Sequence, residues 1–584
     1  MAGYGLSKSR IIAWKQCPKR LWLQIHRRDL LDVSDETERG FQIGYEVGDV
    51  AQGLFPTGIL IEDDDDLSAA LVATKTAMTI YPDSPLFEAT FQHDGVLVRA
   101  DLLLPTPKGY RMVEVKSSAS VKPYHIDDCA VQAWVLQQND IALYSIELAH
   151  IDTSFVYQGN GDYQGLFHHE NLDELVYPLV ELVPDWILEA RSTLSGDEPA
   201  IEPGAQCTDP FECPFIAYCT RDMAAPEQPE FPLDILYRMQ ETTKEQLRSK
   251  GFENALQVPT EFLNETQQWI QRVSQTGVAE LALNVLPILI NLPYPRYYLD
   301  FETINLAVPR WAQTSPYRSQ VPFQWSCHIE SIRGQLQHLM FLDVSGNDPR
   351  RACAEQMIAA LGNEGPVFVY YQAFEKGRIA ELAALFPDLA PALLAINDRV
   401  VDLLPIARTN YYHPDMKGSW SIKAVLPTIA PDLDYTQLAV DNGGAAQDAY
   451  REILHPDTPD VRKQELTEGL REYCKLDTLA MVRLAWFLQG FHVRLFMPGV
   501  AMDDWAAAIL TATAYHNDSL LLNAVDILHR RCKFQQTAMI SQPVSMLQRC
   551  LKLGYNKTLS LVDEMVTLGI LSPQANRPII VTID

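Results

Sequence analysis

No apolar run in this chain reaches the roughly 18 residues needed to cross a bilayer, so nothing in it reads as a membrane helix. The opening segment, MAGYGLSKSRIIAWK, lacks the apolar core and small-residue cleavage site of a secretory signal. The ten cysteines lack the pattern of a disulfide scaffold and suit a reducing compartment. The expectation is a cytoplasmic protein. Internal repeats and long low-complexity stretches are also missing, which argues against a solenoid and against extended disorder. Finally, no GxxxxGK[ST] phosphate loop is present, so the chain is not expected to carry an ATP motor of its own.

What is present is an ordinary globular composition. The chain has 584 residues, 47% hydrophobic and 21% charged, enough for three to five packed domains. The net charge of −28 opposes binding to a polyanion. It is unevenly spread, however. Residues 1–28 hold seven Lys/Arg and no acid, and residues 529–562 hold six and no acid. Such islands can recruit a polyanion locally while the bulk repels it. The acidic run Glu62–Asp66 reads as a solvated loop, because consecutive carboxylates repel one another. The proline-rich stretch 222–236 marks a boundary, residues 237–290 read as helical, α/β alternation runs from Arg296 to about 495, and a helical block follows to a closing strand in PIIVTID. The expectation is a multidomain α/β chain: 1–225, a helical connector 226–290, 291–495, and 496–584.

A first chemical site is suggested by VRADLLL, a short turn, and YRMVEVKSS. Period-two geometry puts Glu114 and Lys116 on one face of a strand, with Val113 and Val115 on the other, beside Asp101 on the preceding strand. Two carboxylates there can hold Mg²⁺ or Mn²⁺. Tyr124, Asp128 and Gln132 follow at four-residue spacing on one helix face. Alone, this pattern occurs often by chance and reads as a surface hairpin with a satisfied Glu/Lys pair. It is flanked by Cys17 in a Cys-Pro-Lys-Arg turn and, far downstream, by Cys207, Cys213 and Cys219 as C-x5-C-x5-C. Thiolates at this spacing suit zinc or an iron–sulfur cluster. The other six cysteines, Cys474 included, read as small buried apolar residues.

One cysteine, an Asp…Glu-x-Lys hairpin and three more cysteines, in that order, resemble the RecB-type PD-(D/E)xK nucleases with an iron–sulfur cluster, which include the CRISPR adaptation nucleases and the AddB group. The resemblance covers about residues 1–225. It implies that Asp101 and Glu114 hold a divalent ion, that Lys116 and Gln132 complete the catalytic set, and that Cys17, Cys207, Cys213 and Cys219 bind a [4Fe–4S] cluster joining the two ends of the domain. Glu88 is a candidate outer carboxylate. The family's upstream His is absent from GYEVGDVAQ, which leaves Glu46 or Asp49 as substitutes.

A second site is suggested by YYLDFET, where Asp300 and Glu302 share a strand face. Glu375 follows an apolar strand, another strand leads to Asp402, and Tyr473 and Asp477 stand at i and i+4 on a helix. This order resembles the DEDD exonucleases of the RNase H-like fold in their tyrosine-bearing form. By that resemblance Asp300, Glu302 and Asp477 hold two divalent ions and Tyr473 orients the attacking water. Glu375 stands where the family has Asp, one methylene shorter. The segment 418–427, GSWSIKAVLP, resembles an uncharacterised bacterial family that pairs this domain with an N-terminal nuclease, which makes Lys423 or Ser419 candidates for phosphate contact.

Around GYNKT, the C-terminal 65 or so residues resemble the γ winged-helix domain of the FtsK translocase. That resemblance places Asn556, Lys557 and Ser560 in a major groove and Arg549 and Lys552 on phosphate. Together these expectations describe a Mg²⁺- or Mn²⁺-dependent DNA exonuclease with a PD-(D/E)xK domain, an RNase H-like domain and a winged helix-turn-helix, served in trans by a helicase or other motor. The rivals are a catalytically dead DNA-binding scaffold and an RNA-directed exonuclease.

Overall fold

The computed structural model describes residues 5–62, 66–223, 229–282, 285–436, 438–489, 571–574 and 577–580. The chain forms two compact units, one of residues 1–226 with 305–320, the other of 227–304 with 321–584.

The first unit is built on a seven-stranded sheet. Its path is β2 (Ile59–Leu60), β3 (Leu86–His93), β4 (Val96–Thr106), β5 (Gly109–Lys116), β6 (Leu143–Ile151) and β7 (Phe167–Asn171), with β1 (Leu6–Ser7) alongside β4. The β4–β5 hairpin closes at Gly109, whose φ of +131° only glycine adopts readily and where a Cβ would lie 2.3 Å from the Ala142 carbonyl oxygen. Alternation in β5 works as its sequence dictates. Val113 and Val115 join Leu102, Leu104 and the α3 (Asp35–Gly53) residues Val47 and Ala51 in one core. Glu114 points to the opposite face, under α1 (Lys8–Gln16) and α5 (Pro123–Gln138), with α4 (Leu67–Ile80) packed on the same side. Every residue of α5 from Asp128 to Leu136 is buried, so its polar side chains Asp128 and Gln132 must find partners inside.

Cys17 ends α1 and begins α2 (Pro18–His26), with Pro18 in the first helical position where no N–H is needed. The Gln16 amide donates to the carbonyls of Gln206 and Phe211 at 2.8 and 2.7 Å. The start of the domain is thereby tied to the segment carrying the other three cysteines. Residues 305–320, which interrupt the second unit's sheet in sequence, belong here: Thr314 bridges Tyr157, and the Tyr317 hydroxyl donates to the Ser117 carbonyl.

The second unit carries a five-stranded sheet ordered β11 (Gln335–Leu342), β10 (Val321–Ile332), β9 (Arg296–Ile304), β12 (Val367–Val369), β13 (Val400–Asp402). The first three strands run antiparallel, and β12 and β13 continue parallel to β9. In β9, Tyr297, Leu299 and Phe301 enter the core beneath helix Arg350–Leu361, whereas Tyr298 enters the opposite core. Asp300 and Glu302 share Tyr298's face, against the long helix Asp460–Leu488. That helix is fixed to the sheet by the Thr478 hydroxyl, 2.9 Å from Ser326 Oγ and 2.8 Å from His328 Nδ1. The stretch expected as a separate connector packs within this unit. Leu247, Val258, Ile270 and Val273 share a core with Tyr412, Trp420 and Leu484, and β8 (Glu280–Leu281) pairs with β14 (Tyr411–Tyr412). Near the end, β15 (Leu571–Gln574) and β16 (Arg577–Ile580) form an antiparallel hairpin. Among the described residues no helix is long and apolar enough to cross a membrane.

Candidate functional site

In the first unit, Asp101, Glu114, Lys116 and Gln132 meet on the sheet face beneath α5. The Asp101 carboxylate accepts the Val115 N–H at 2.7 Å, which locks the two strands at this point. Gln132 donates to Glu114 Oε2 at 2.6 Å, and Lys116 Nζ reaches Glu114 at 2.6 Å and Asp128 at 3.0 Å. A group that the sequence reading assigned elsewhere completes the set. Lys8 Nζ donates to both Glu114 oxygens, at 2.9 and 3.1 Å, and lies 3.8 Å from Asp128 and 4.0 Å from Asp101. Three carboxylates thus surround two ammonium groups.

The electrostatics follow from this arrangement. Burial works against ionising Glu114, but Lys116 and Lys8 outweigh it and hold Glu114 well below the usual range. Burial together with Glu114 pushes Asp101 up to about 7, with Glu88 adding to the rise. Burial likewise opposes charge on Lys8, and Asp128, Glu114 and Asp101 overcome it, so Lys8 stays protonated. Two acceptors at this site, Asp128 Oδ1 and Gln132 Oε1, are buried without a hydrogen-bond partner. Oxygens left so are what a hard cation needs. Glu46 and Asp49, the candidates for the missing histidine, are both exposed on α3.

The basic island of residues 1–28 is a correction to the sequence reading. Lys8 turns inward, Lys15 pairs with Asp127, Lys19 with Glu198, and Arg27 with Asp29. The segment is free of acid along the chain but is matched in space mainly by acids from later elements, so these four cations are engaged within the unit. The second island lies outside the described residues.

Cys17, Cys207, Cys213 and Cys219 line one pocket, together with Lys19, Arg20 and residues 201–203. Burial raises Cys213 and Cys219, while Arg20 pulls the first down and Lys19 the second. The donor set is all sulfur, and the two cations can offset the charge of a thiolate-held group. Among the described residues, ligand atoms within 4.8 Å of one another form two sets, Asp300–Glu302–Cys474 and His150–His168–Glu170. The four thiols are not such a set.

The second site gathers acids with much less compensation. Asp300 and Glu302 come from β9, Glu375 from the first turn of helix Gln372–Leu385, and Asp477 from the long helix. Burial and then Asp477, Glu302 and Glu375 drive Asp300 far above the usual carboxylate range. Burial and Asp477 push Glu302 up to about 8. Burial, with Asp402 contributing, pushes Glu375 up to about 8, and its Oε2 is buried without a partner. Tyr435 donates to Asp477 Oδ1 at 2.6 Å, and Tyr473 also hydrogen-bonds Asp477. Lys423 Nζ lies 5.1 Å from the centres of both tyrosine rings and donates to the Asp441 carbonyl. Ser419 instead lies 3.3 Å from Ser421, whose hydroxyl caps the helix carrying Lys423.

Three residues were misread or missed. Cys474 is not simply core: its Sγ sits 3.9 Å from Asp300 Oδ2, and burial with the surrounding carboxylates keeps the thiol neutral. Asp402 is committed to the backbone, accepting N–H groups of Tyr371, Gln372 and Leu404 at 3.0 Å each. Tyr435 carries no sequence signal, since it lies in an irregular loop.

Comparison with known proteins identifies parts of the chain. Residues 517–582 match the FtsK gamma domain. This supports a DNA-binding winged helix at the C-terminus. Arg549, Lys552, Asn556, Lys557 and Ser560 fall in that match and lie outside the described residues. Residues 297–421 match a domain of unknown function, DUF2779, which contains Asp300, Glu302 and Glu375. The chain is 24% identical over 250 residues to the uncharacterised protein UU173 of Ureaplasma parvum serovar 3, covering 39% of this chain and 36% of that protein. No solved structure matches.

Proposed function

We propose that this protein is a metal-dependent DNA nuclease with two phosphodiesterase sites, a PD-(D/E)xK centre in the first unit and a DEDD centre of RNase H-like type in the second. The observation that carries the reading is the second centre. Three buried carboxylates, Glu302, Glu375 and Asp477, and the partly buried Asp300 converge from three separate elements with raised pKa values, and bound cations would favour their ionised form. Asp300, Glu302 and Asp477 would hold Mg²⁺ or Mn²⁺, with Glu375 completing the shell. Bound there, the ions supply activation of water and charge stabilisation on the phosphoryl group. Tyr473 and Tyr435 hold Asp477 in place, and Lys423 lies close enough to meet a substrate phosphate.

At the first centre, Asp101, Glu114 and Asp128 would hold a single divalent ion, and Lys116 would orient the nucleophile. A second reading is favoured here by Lys8, which fills the space between the carboxylates. With that ammonium in place the carboxylates are neutralised without a divalent ion, and the first centre is then structural, leaving cleavage to the second. The four cysteines fit a [4Fe–4S] cluster better than zinc. A tetrahedral zinc site with Zn–S bonds near 2.3 Å brings sulfurs to about 3.8 Å, closer than the thiols approach as a set. The C-terminal match favours DNA as the partner. Recombination, repair or defence against foreign DNA, with a helicase acting in trans, is the setting that the nuclease reading itself suggests.

The test is cleavage of an end-labelled single strand in Mn²⁺, as DNA and as matched RNA, by the wild type, Glu114→Ala and Asp300→Ala. The reading expects DNA trimming that is lost or reduced by at least about 10²-fold in Asp300→Ala. Absence of cleavage by all three with every divalent ion would leave a DNA-binding scaffold.

A further inference from the structure

The nuclease reading leaves unused a second set of ligands on the sheet face that carries Glu114 and Lys116. Parallel pairing places His150 of β6 directly beside Lys116 of β5, and antiparallel pairing places His168 of β7 directly opposite His150. Paired residues share a face, and Glu170, two residues on from His168, shares it too. Ligand atoms of His150, His168 and Glu170 all lie within 4.8 Å of one another. The two imidazole centres are 5.2 Å apart, and His168 Nε2 is 3.3 Å from Glu170 Oε1.

The proton arrangement on His150 favours ligation. Its Nδ1 lies 3.3 Å from the Ile151 carbonyl oxygen, which can only accept, so Nδ1 carries the hydrogen and Nε2 presents its lone pair. A backbone carbonyl fixing one ring nitrogen is the usual support of a metal-bound histidine. His150 is nearly buried and held by the sheet, whereas His168 and Glu170 are exposed, so an ion has a path in. The Asp152 carboxylate lies near enough to feel both rings and adds negative potential, while Ser154 holds it in place.

We propose that His150, His168 and Glu170 form a binding site for a Zn²⁺-class ion, with two imidazole nitrogens, one carboxylate oxygen and an open fourth position. Two nitrogen donors select Zn²⁺, Co²⁺ or Ni²⁺ over the Mg²⁺ expected at the all-oxygen centres. The ion ties β7 to β6. It would add to the antiparallel pairing of an edge strand of which four of five residues are exposed and only Phe167 packs on a core.

The experiment titrates Co²⁺ and then Zn²⁺ into the full chain after chelator treatment, comparing wild type, His168→Ala, Glu170→Gln and His169→Ala. His169 faces the other side of the sheet, against Glu147, and serves as the control. Cobalt on nitrogen and oxygen gives visible d–d bands without the thiolate charge-transfer absorption of the cysteine pocket, so the two sites read separately. With excess Mg²⁺ occupying the carboxylate centres, wild type and His169→Ala should show one such ion per chain, displaced by Zn²⁺ with a rise in melting temperature. His168→Ala should weaken it by about 100-fold and Glu170→Gln by about 10-fold. Identical d–d titrations for wild type and His168→Ala, or no such bands in wild type, would overturn the site. Because His168 is exposed, its loss leaves the fold intact, which far-UV circular dichroism checks.

Discussion

Replacing Lys8 by Met removes the ammonium from among Asp101, Glu114 and Asp128 while keeping the unbranched stem and all but one atom of the side chain's length. Unit charges 3–4 Å apart interact by about 4–6 kcal/mol at an effective dielectric near 20, before desolvation is subtracted. Truncating one partner of a buried pair costs about 3–5 kcal/mol net. Glu114 is 1% exposed and retains Lys116 and Gln132, so the lower end applies. Metal-free Lys8→Met is therefore expected to melt about 6–12 °C lower if the first unit melts as one domain. The same carboxylates are then free for a cation. A gain of about 1.4–3 kcal/mol in metal binding raises Mn²⁺ affinity about 10- to 100-fold. In an Asp300→Asn background, which silences the second centre, the loss of the free Mn²⁺ electron paramagnetic resonance signal reports this affinity directly. Equal Mn²⁺ binding with and without Lys8, together with an unchanged melting temperature, would show that this ammonium neither stabilises the unit nor competes with a cation.

Other outcomes follow from the same geometry. Without metal, the protons on Glu302 and Glu375, near pKa 8, are held by the native state and released by the unfolded chain above about pH 4.5, so stability falls as pH rises from there to 8. The slope is about 1.4 kcal/mol per pH unit per carboxyl. Denaturant titrations at pH 5 and pH 8 measure it, and Glu302→Gln should flatten it. Tyr473→Phe should lower single-turnover cleavage by about 10- to 100-fold with little change in Mn²⁺ affinity. Cys213→Ser should remove the brown colour and iron of anaerobically purified protein; colourless, zinc-loaded wild type would contradict the cluster. Lys552→Ala should weaken duplex binding and reduce the salt slope by about one.

The parts of each centre that follow strand periodicity were legible in the sequence. Glu114 and Lys116, and Asp300 and Glu302, share faces because a strand alternates, and Asp128 and Gln132 align because a helix repeats every 3.6 residues. What was not legible depends on contacts between distant elements. Lys8 is separated from Glu114 by 106 residues and read as part of a solvated basic island until α1 was seen packed over the sheet. Tyr435 sits in a loop 42 residues from Asp477, where no period applies. Residues 305–320 follow β9 without any compositional break, yet join the first unit, since loop composition does not encode which core a loop covers. The histidine pair was invisible for the same reason. His150 and His168 meet only through the register of β6 on β7.

Both proposed hydrolytic centres require acids from distant segments to hold cations together. The most direct measurement is anomalous scattering from crystals soaked in Mn²⁺ with a short single-stranded oligonucleotide. Strong peaks are expected among Asp300, Glu302 and Asp477, with a phosphate oxygen beside them. A map with no anomalous density at those carboxylates in saturating Mn²⁺ would contradict the proposed centre.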